Sequence, residues 1–192
     1  MDHNGFDQVP LSAHDFHPMY ALSQVIVLMG INPADFRQLI IRPTLQKLGK
    51  WSPSLENLLI GTAAQASELG TQLISTNGGL GVYQVNAEIH QQAWDCYLAF
   101  DPDLASAVRG MASQRDFLCQ PHLELTTNLS YATAIAWSVY AHARADIPMD
   151  CENIEGLARC WHLNFNQDPM LAPRHFVNTY LQLVKEEKAF AA

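Results

Sequence analysis

The residues able to do chemistry crowd into positions 59–94, LIGTAAQASELGTQLISTNGGLGVYQVNAEIHQQAW. An apolar helix ends near Ala66-Ser67-Glu68 and a glycine-rich loop follows. Gly81-Val82-Tyr83-Gln84 then makes a tight segment before a second helix that carries Glu88, His90 and Trp94. Tyr83 and Gln84 offer hydroxyl and amide groups that can hydrogen-bond a polar ligand. Glu68 is a carboxylate beside the loop, but at about 100° per residue it points some 200° away from Ala66. It reaches the same space only if the helix stops before it. Glu88 opens a helix, where the dipole favours a carboxylate whatever the function. His90 and Trp94 lie one helical turn apart and read as packing under the loop. No serine or cysteine carries a nucleophile signature. Gly78-Gly79-Leu80-Gly81 lacks the strand-to-helix setting and the basic partner of a phosphate cradle.

Helices must position these groups. Asn32-Pro33, Ser52-Pro53 and Asp101-Pro102 are cap-and-proline starts, and Asn86 caps a helix through AEIHQQAWDCYLA. Pro43 is expected to force a break before TLQKLG. SLENLLIGTAAQASEL places Leu55, Leu58, Leu59 and Thr62 on one stripe. After Pro121 comes the longest helical pattern, HLELTTNLSYATAIAWSVYAHAR, apolar nearly all round as in a buried central helix; Trp137 and Tyr140 belong to its core. Another helix spans Glu152 to Leu163, and a last one runs from Arg174 to Lys188. MYALSQVIVLM, after Pro18, reads as an opening helix stopped at Gly30. The expectation is a mainly α single domain over 18–192, with a small β/loop element near 72–85 and a polar N-terminal arm over 1–17.

At 192 residues the chain can bury a full core, and 48% of its residues are apolar. A net charge of −8 argues against a nucleic-acid surface, where lysine and arginine must neutralise phosphates. It also argues against simple attraction to an anionic wall or membrane, so a wall polymer would have to be gripped by a shaped groove. Cys96, Cys119, Cys151 and Cys160 lack metal-ligand spacing and read as reduced, buried thiols. His3, His14 and His17 lack the spacing of a metal site. No metal or cofactor is expected. MDHNGFDQVP has neither the basic nor the apolar region of a signal peptide, and Val25 to Gly30 is too short to span a bilayer. Synthesis and folding in the cytoplasm are expected.

The spacing of the central stretch resembles that of soluble lytic transglycosylases and goose-type lysozymes. In that family Glu-Ser ends a helix, and a Gly-Leu-Met-Gln-like tetrad begins fifteen residues after the Glu. Here Ser67 matches the serine and Gly81-Val82-Tyr83-Gln84 the tetrad, but Ala66 stands at the glutamate position. FRQLIIRPTLQKLGKWSPSLENLLIGTAAQ, NLSYATAIA and EGLARCWHLNFN further resemble short phage-encoded lysozyme-like proteins, extending the likeness over roughly residues 35–182. Phe165-Asn166 falls where transglycosylases carry a Tyr-Asn pair along the sugar groove, with Trp161 about one turn earlier. VNAEIH stands where the family reads something like MEPATH, so a second carboxylate position is Asn86 and Glu88 is shifted by two.

The resemblance implies a lysozyme-like helical fold and a groove for peptidoglycan glycan strands, lined by Ser67, Gly81, Tyr83, Gln84, Phe165 and Asn166. It also implies cleavage of β-1,4 MurNAc–GlcNAc links by one general acid/base, incorporation in a phage virion, and contacts with other virion or tail proteins. That acid must be a carboxyl kept protonated by burial. The methyl of Ala66 can neither give nor take a proton, which makes this chain inactive; Glu68 is the one substitute at hand. Two readings of Ala66 stay open. It is an engineered change that traps substrate, or it is native and the protein is a structural tail component that has kept the fold and lost catalysis.

Overall fold

The computed structural model describes residues 30–185, apart from the side chains of Gln114, Arg115 and Asp116. The polar arm over 1–17, with His3, His14 and His17, and the whole helix expected after Pro18 lie outside the described residues, as do positions 186–192. The expected class holds: the chain is mainly α, with no sheet among the described residues. What stands near 72–85 is a looped segment with two isolated antiparallel bridges, Ile74 to Leu80 and Leu80 to Val85.

Pro33–Asp35, Phe36–Ile41 and Arg42–Lys47 run on as one helical stretch, α1 (33–47). Pro43 does not break it. The middle piece is a wide π turn, in which the Arg42 N–H bonds the Arg37 carbonyl five residues back. A proline ring collides with the carbonyl four residues earlier in a regular α-helix, and the wider turn carries the chain past that point. α2 (Pro53–Ser67) starts where Ser52 accepts a hydrogen bond from the Leu55 N–H at 3.2 Å. The other expected caps also form: Asn86 for α3 (Ala87–Cys96) and Asp101 for α4 (Pro102–Arg109).

α5 (Gln114–Cys119) and two short turns, Pro121–Leu123 and Glu124–Thr127, lead to α6 (Leu129–His142). The long helix expected after Pro121 is therefore divided. Asn128 leaves the helical region and caps α6, its side-chain oxygen accepting from the Tyr131 N–H at 3.0 Å. α7 (Ile154–Asn164) and α8 (Pro173–Tyr180, continued by a π turn over Leu181–Lys185) complete the described chain.

α2 and α6 form the centre. α6 is buried on nearly every face, as its composition implies. The single stripe expected for α2 understates it, since Ser54 to Ala64 are all buried. α8 crosses α2 closely because Gly61 has no side chain: a Cβ there would stand 2.2 Å from the Phe176 ring. Tyr140 of α6 gives its hydroxyl proton to Thr62 of α2 at 2.7 Å, while Thr62 donates to the Leu58 carbonyl. Of the thiols expected to be buried, Cys160 is; Cys151 is half-buried, and Cys96 and Cys119 are exposed, because both lie on the outer sides of short peripheral helices. No helix of the described residues is long and apolar enough to cross a membrane.

Candidate functional site

α2 stops in a run of left-handed residues, Glu68, Leu69 and Gly70, with φ of 49°, 57° and 89°. Conformations of this kind are costly for residues with a Cβ and need outside support. Leu69 is buried, and its carbonyl accepts the Ile31 N–H at 2.7 Å. This reversal leaves Ala66 and Gln65 on the inner side of the last turn and turns Glu68 out to solvent.

Ser67 ties that turn to the tetrad. Its hydroxyl donates to the Val82 carbonyl at 2.7 Å and accepts the Gly70 N–H at 2.8 Å. Gly81, at φ 70°, lies against the Leu125 carbonyl, where a Cβ would come within 1.7 Å. Gln84 uses both amide hydrogens internally, on the carbonyls of Gly81 at 2.6 Å and Gln72 at 3.0 Å. Its Oε1 is buried without a hydrogen-bond partner among the described residues, covered by Gly79.

These constraints leave a cleft of about 240 Å³. Gln65, Ala66, Tyr83 and Gln84 line it together with Trp161, Phe165, Asn166 and Asp168. Three of the sequence-nominated segments, 66, 83–84 and 165–166, therefore border one space. Ser67 and Gly81 do not line it; they hold its parts together. Glu68 does not line it either, although the helix does end before it, and Glu88 is exposed on the first turn of α3.

The polar groups of the cleft are largely committed. Tyr83 is 1% exposed and its hydroxyl meets Thr133 at 3.1 Å, with burial pushing its pKa above the usual phenol value. Phe165 stacks on Tyr140, ring centres 5.1 Å apart. The Asn166 amide donates to the carbonyls of Asp168 and Leu171 at 2.8 and 3.0 Å, stitching its own loop. Asn86, which also lines the cleft, donates to Gln167 Oε1 at 3.0 Å. Thr179 of α8 donates to Gln65 at 2.8 Å. Trp161 is buried against Phe176. His90 and Trp94 pack behind the turn, both bonded to the Tyr131 hydroxyl.

Among the described residues Asp168 is the one carboxylate lining the cleft, and it is exposed, with Oδ1 accepting the Met170 N–H. Sequence reasoning missed it because an aspartate that closes a turn has no distinguishing local pattern. It also missed Glu56, a charge inside an apolar helical pattern. Glu56 is 3% exposed beside a separate hollow of about 640 Å³ and accepts from Arg42, Trp51 and Arg37. Burial pushes the carboxyl up, but those three hydrogen-bonding partners outweigh it and hold Glu56 below its ordinary range. Its oxygens are satisfied, so the network reads as a support for α1 on α2. Among the described residues no group of three or more histidines, cysteines or acids is placed to hold a metal. No family model, curated protein or solved structure matches the chain.

Proposed function

We propose that the cleft beside Ala66 takes a peptidoglycan glycan strand, and that the chain is a phage virion-associated protein of lytic transglycosylase type that binds without cutting. The observation that carries this reading is the meeting of Ala66, Tyr83–Gln84 and Phe165–Asn166, distant in sequence, around one cleft. The part-exposed Phe165 ring suits the apolar face of a sugar, and a carboxyl at position 66, beside the buried rings, would be kept protonated by desolvation.

Cleavage of the glycosidic link needs that proton at the bridging oxygen, and general acid catalysis contributes about 10²–10⁴-fold. Position 66 presents a methyl instead. Asp168 does not replace the acid, since it is exposed and tied to its own turn. The reaction is therefore silent while the groove persists.

A second reading draws on the committed polar groups. The Tyr83 hydroxyl, the Gln84 amide hydrogens and the Asn166 amide all serve the protein itself, as they would in a structural virion or tail component that no longer meets glycan. Co-sedimentation with purified sacculi separates the two. The glycan reading expects the chain to pellet with sacculi and Ala66→Phe, which fills the cleft, to stay in solution with its fold intact by circular dichroism. Equal failure of both to pellet would favour the structural reading.

A further inference from the structure

Behind the cleft, a buried chain of hydrogen bonds links α3, α6 and the turn over Pro121–Leu123. Trp94 Nε1 donates to the Tyr131 hydroxyl at 2.8 Å, and that hydroxyl lies 2.6 Å from His90 Nε2. His90 Nδ1 in turn lies 2.9 Å from His122 Nδ1. Tyr131 and His90 are both buried.

Counting hydrogens sets the direction of this chain. A tyrosine hydroxyl has one hydrogen, and among the described residues its only acceptor is His90 Nε2. His90 therefore carries its own hydrogen on Nδ1 and donates it to His122, whose Nδ1 is the lone pair. One added proton cannot be fitted while every bond is kept. On His122 it sets two N–H groups against each other. On His90 it displaces the tyrosine hydrogen from its acceptor. Reversing the whole chain leaves the same buried hydroxyl hydrogen unpaired, which is unfavourable.

The turn that carries His122 leads directly into Glu124–Thr127, and the Leu125 carbonyl there is the surface on which Gly81 rests. We propose that the His90–His122 pair is a proton-operated latch on the cleft: uncharged, it holds the 121–127 turn and with it the Gly81 tetrad in place, and one proton releases them. The latch concerns the protein's own framework and does not depend on what the cleft binds.

The neighbouring charges leave the pair as the group that switches. From α4, Arg109 lies over the rings of Trp94 and Phe117 at 5.5 and 5.8 Å, adding positive charge that opposes a further proton. From 121–127, Glu124 is buried but engaged by Ser113 and Asn128. From α3, Glu88 and Asp95 are exposed. From α5 come Arg115 and Asp116, whose side chains lie outside the described residues. Burial first, and then the charge of His122, pushes His90 down to about 4.

The test is an NMR titration of the whole chain between neutral pH and acid, following the His90 ring and the amides of Gly81 and Leu125. The latch requires the two amides to shift with the midpoint of the ring, and His122→Asn to abolish that shift. Tyr131→Phe removes the hydroxyl that bonds His90 Nε2 and is expected to raise the His90 midpoint, by roughly half a unit or more. Amides that stay fixed while the ring titrates, amides that titrate identically in His122→Asn, or an unmoved midpoint in Tyr131→Phe would each overturn the latch.

Discussion

Gly81 shows how a single residue sets the cleft. It occupies the left-handed region at φ 70°, and its Cα faces the Leu125 carbonyl so closely that any side chain must displace backbone. Gly81→Ala combines that clash with backbone strain and is expected to cost about 2 kcal/mol or more. Urea denaturation measures it, and an unchanged midpoint would show that the turn yields freely. Ser67 and Gly81 were expected to line the groove, and they hold its parts together instead. Whether they meet a ligand or each other was not legible, because a serine hydroxyl is satisfied equally by a sugar or by the Val82 carbonyl. Ala66 borders the cleft and stands where the resemblance expects the family's glutamate. Glu68 needed the structure, because three successive left-handed residues redirect the chain in a way that helical periodicity does not anticipate.

Among the elements, starts were easier to read than ends or continuations. Ser52, Asn86 and Asp101 act as caps because an unpaired side-chain oxygen ahead of an apolar run has one obvious use. Asn128 has the same chemistry, but it sits inside a longer helical pattern, where nothing local tells a cap from an interior asparagine. Pro43 was misread for the opposite reason. Proline forbids a regular helix, yet the wide turn over Phe36–Ile41 needs no contribution from it, and Phe36 and Ile41 bury fully in that geometry. The extra faces of α2 were hidden because Glu56 and Asn57 look like solvent residues. Their burial depends on Arg37, a partner from α1 nearly twenty positions away.

For the molecule as a whole, acid is the natural stress. His90 is pushed from 6.5 down to about 4, chiefly by burial, so between those values the unfolded chain takes up a proton that the folded chain refuses. Stability is then full above pH 6.5, falls as the pH drops towards 4, and levels off below it, a loss of about 3 kcal/mol from this group. Glu56 adds to the slope at lower pH: its carboxyl is held below the ordinary value, so its contribution is lost as it protonates. Melting temperatures taken from pH 7 to 4 are expected to fall steadily. His90→Gln is expected to flatten the upper part of that curve, and a flat profile in the parent chain would contradict the buried, uncharged histidine.

Replacing Ala66 by glutamate tests the proposed glycan cleft most directly. Purified sacculi are incubated with the parent chain and with Ala66→Glu, and soluble muropeptides are measured. The cleft described above predicts release by Ala66→Glu at about 100-fold or more over a silent parent. A folded Ala66→Glu that releases nothing, or a parent chain that releases as much, would contradict it.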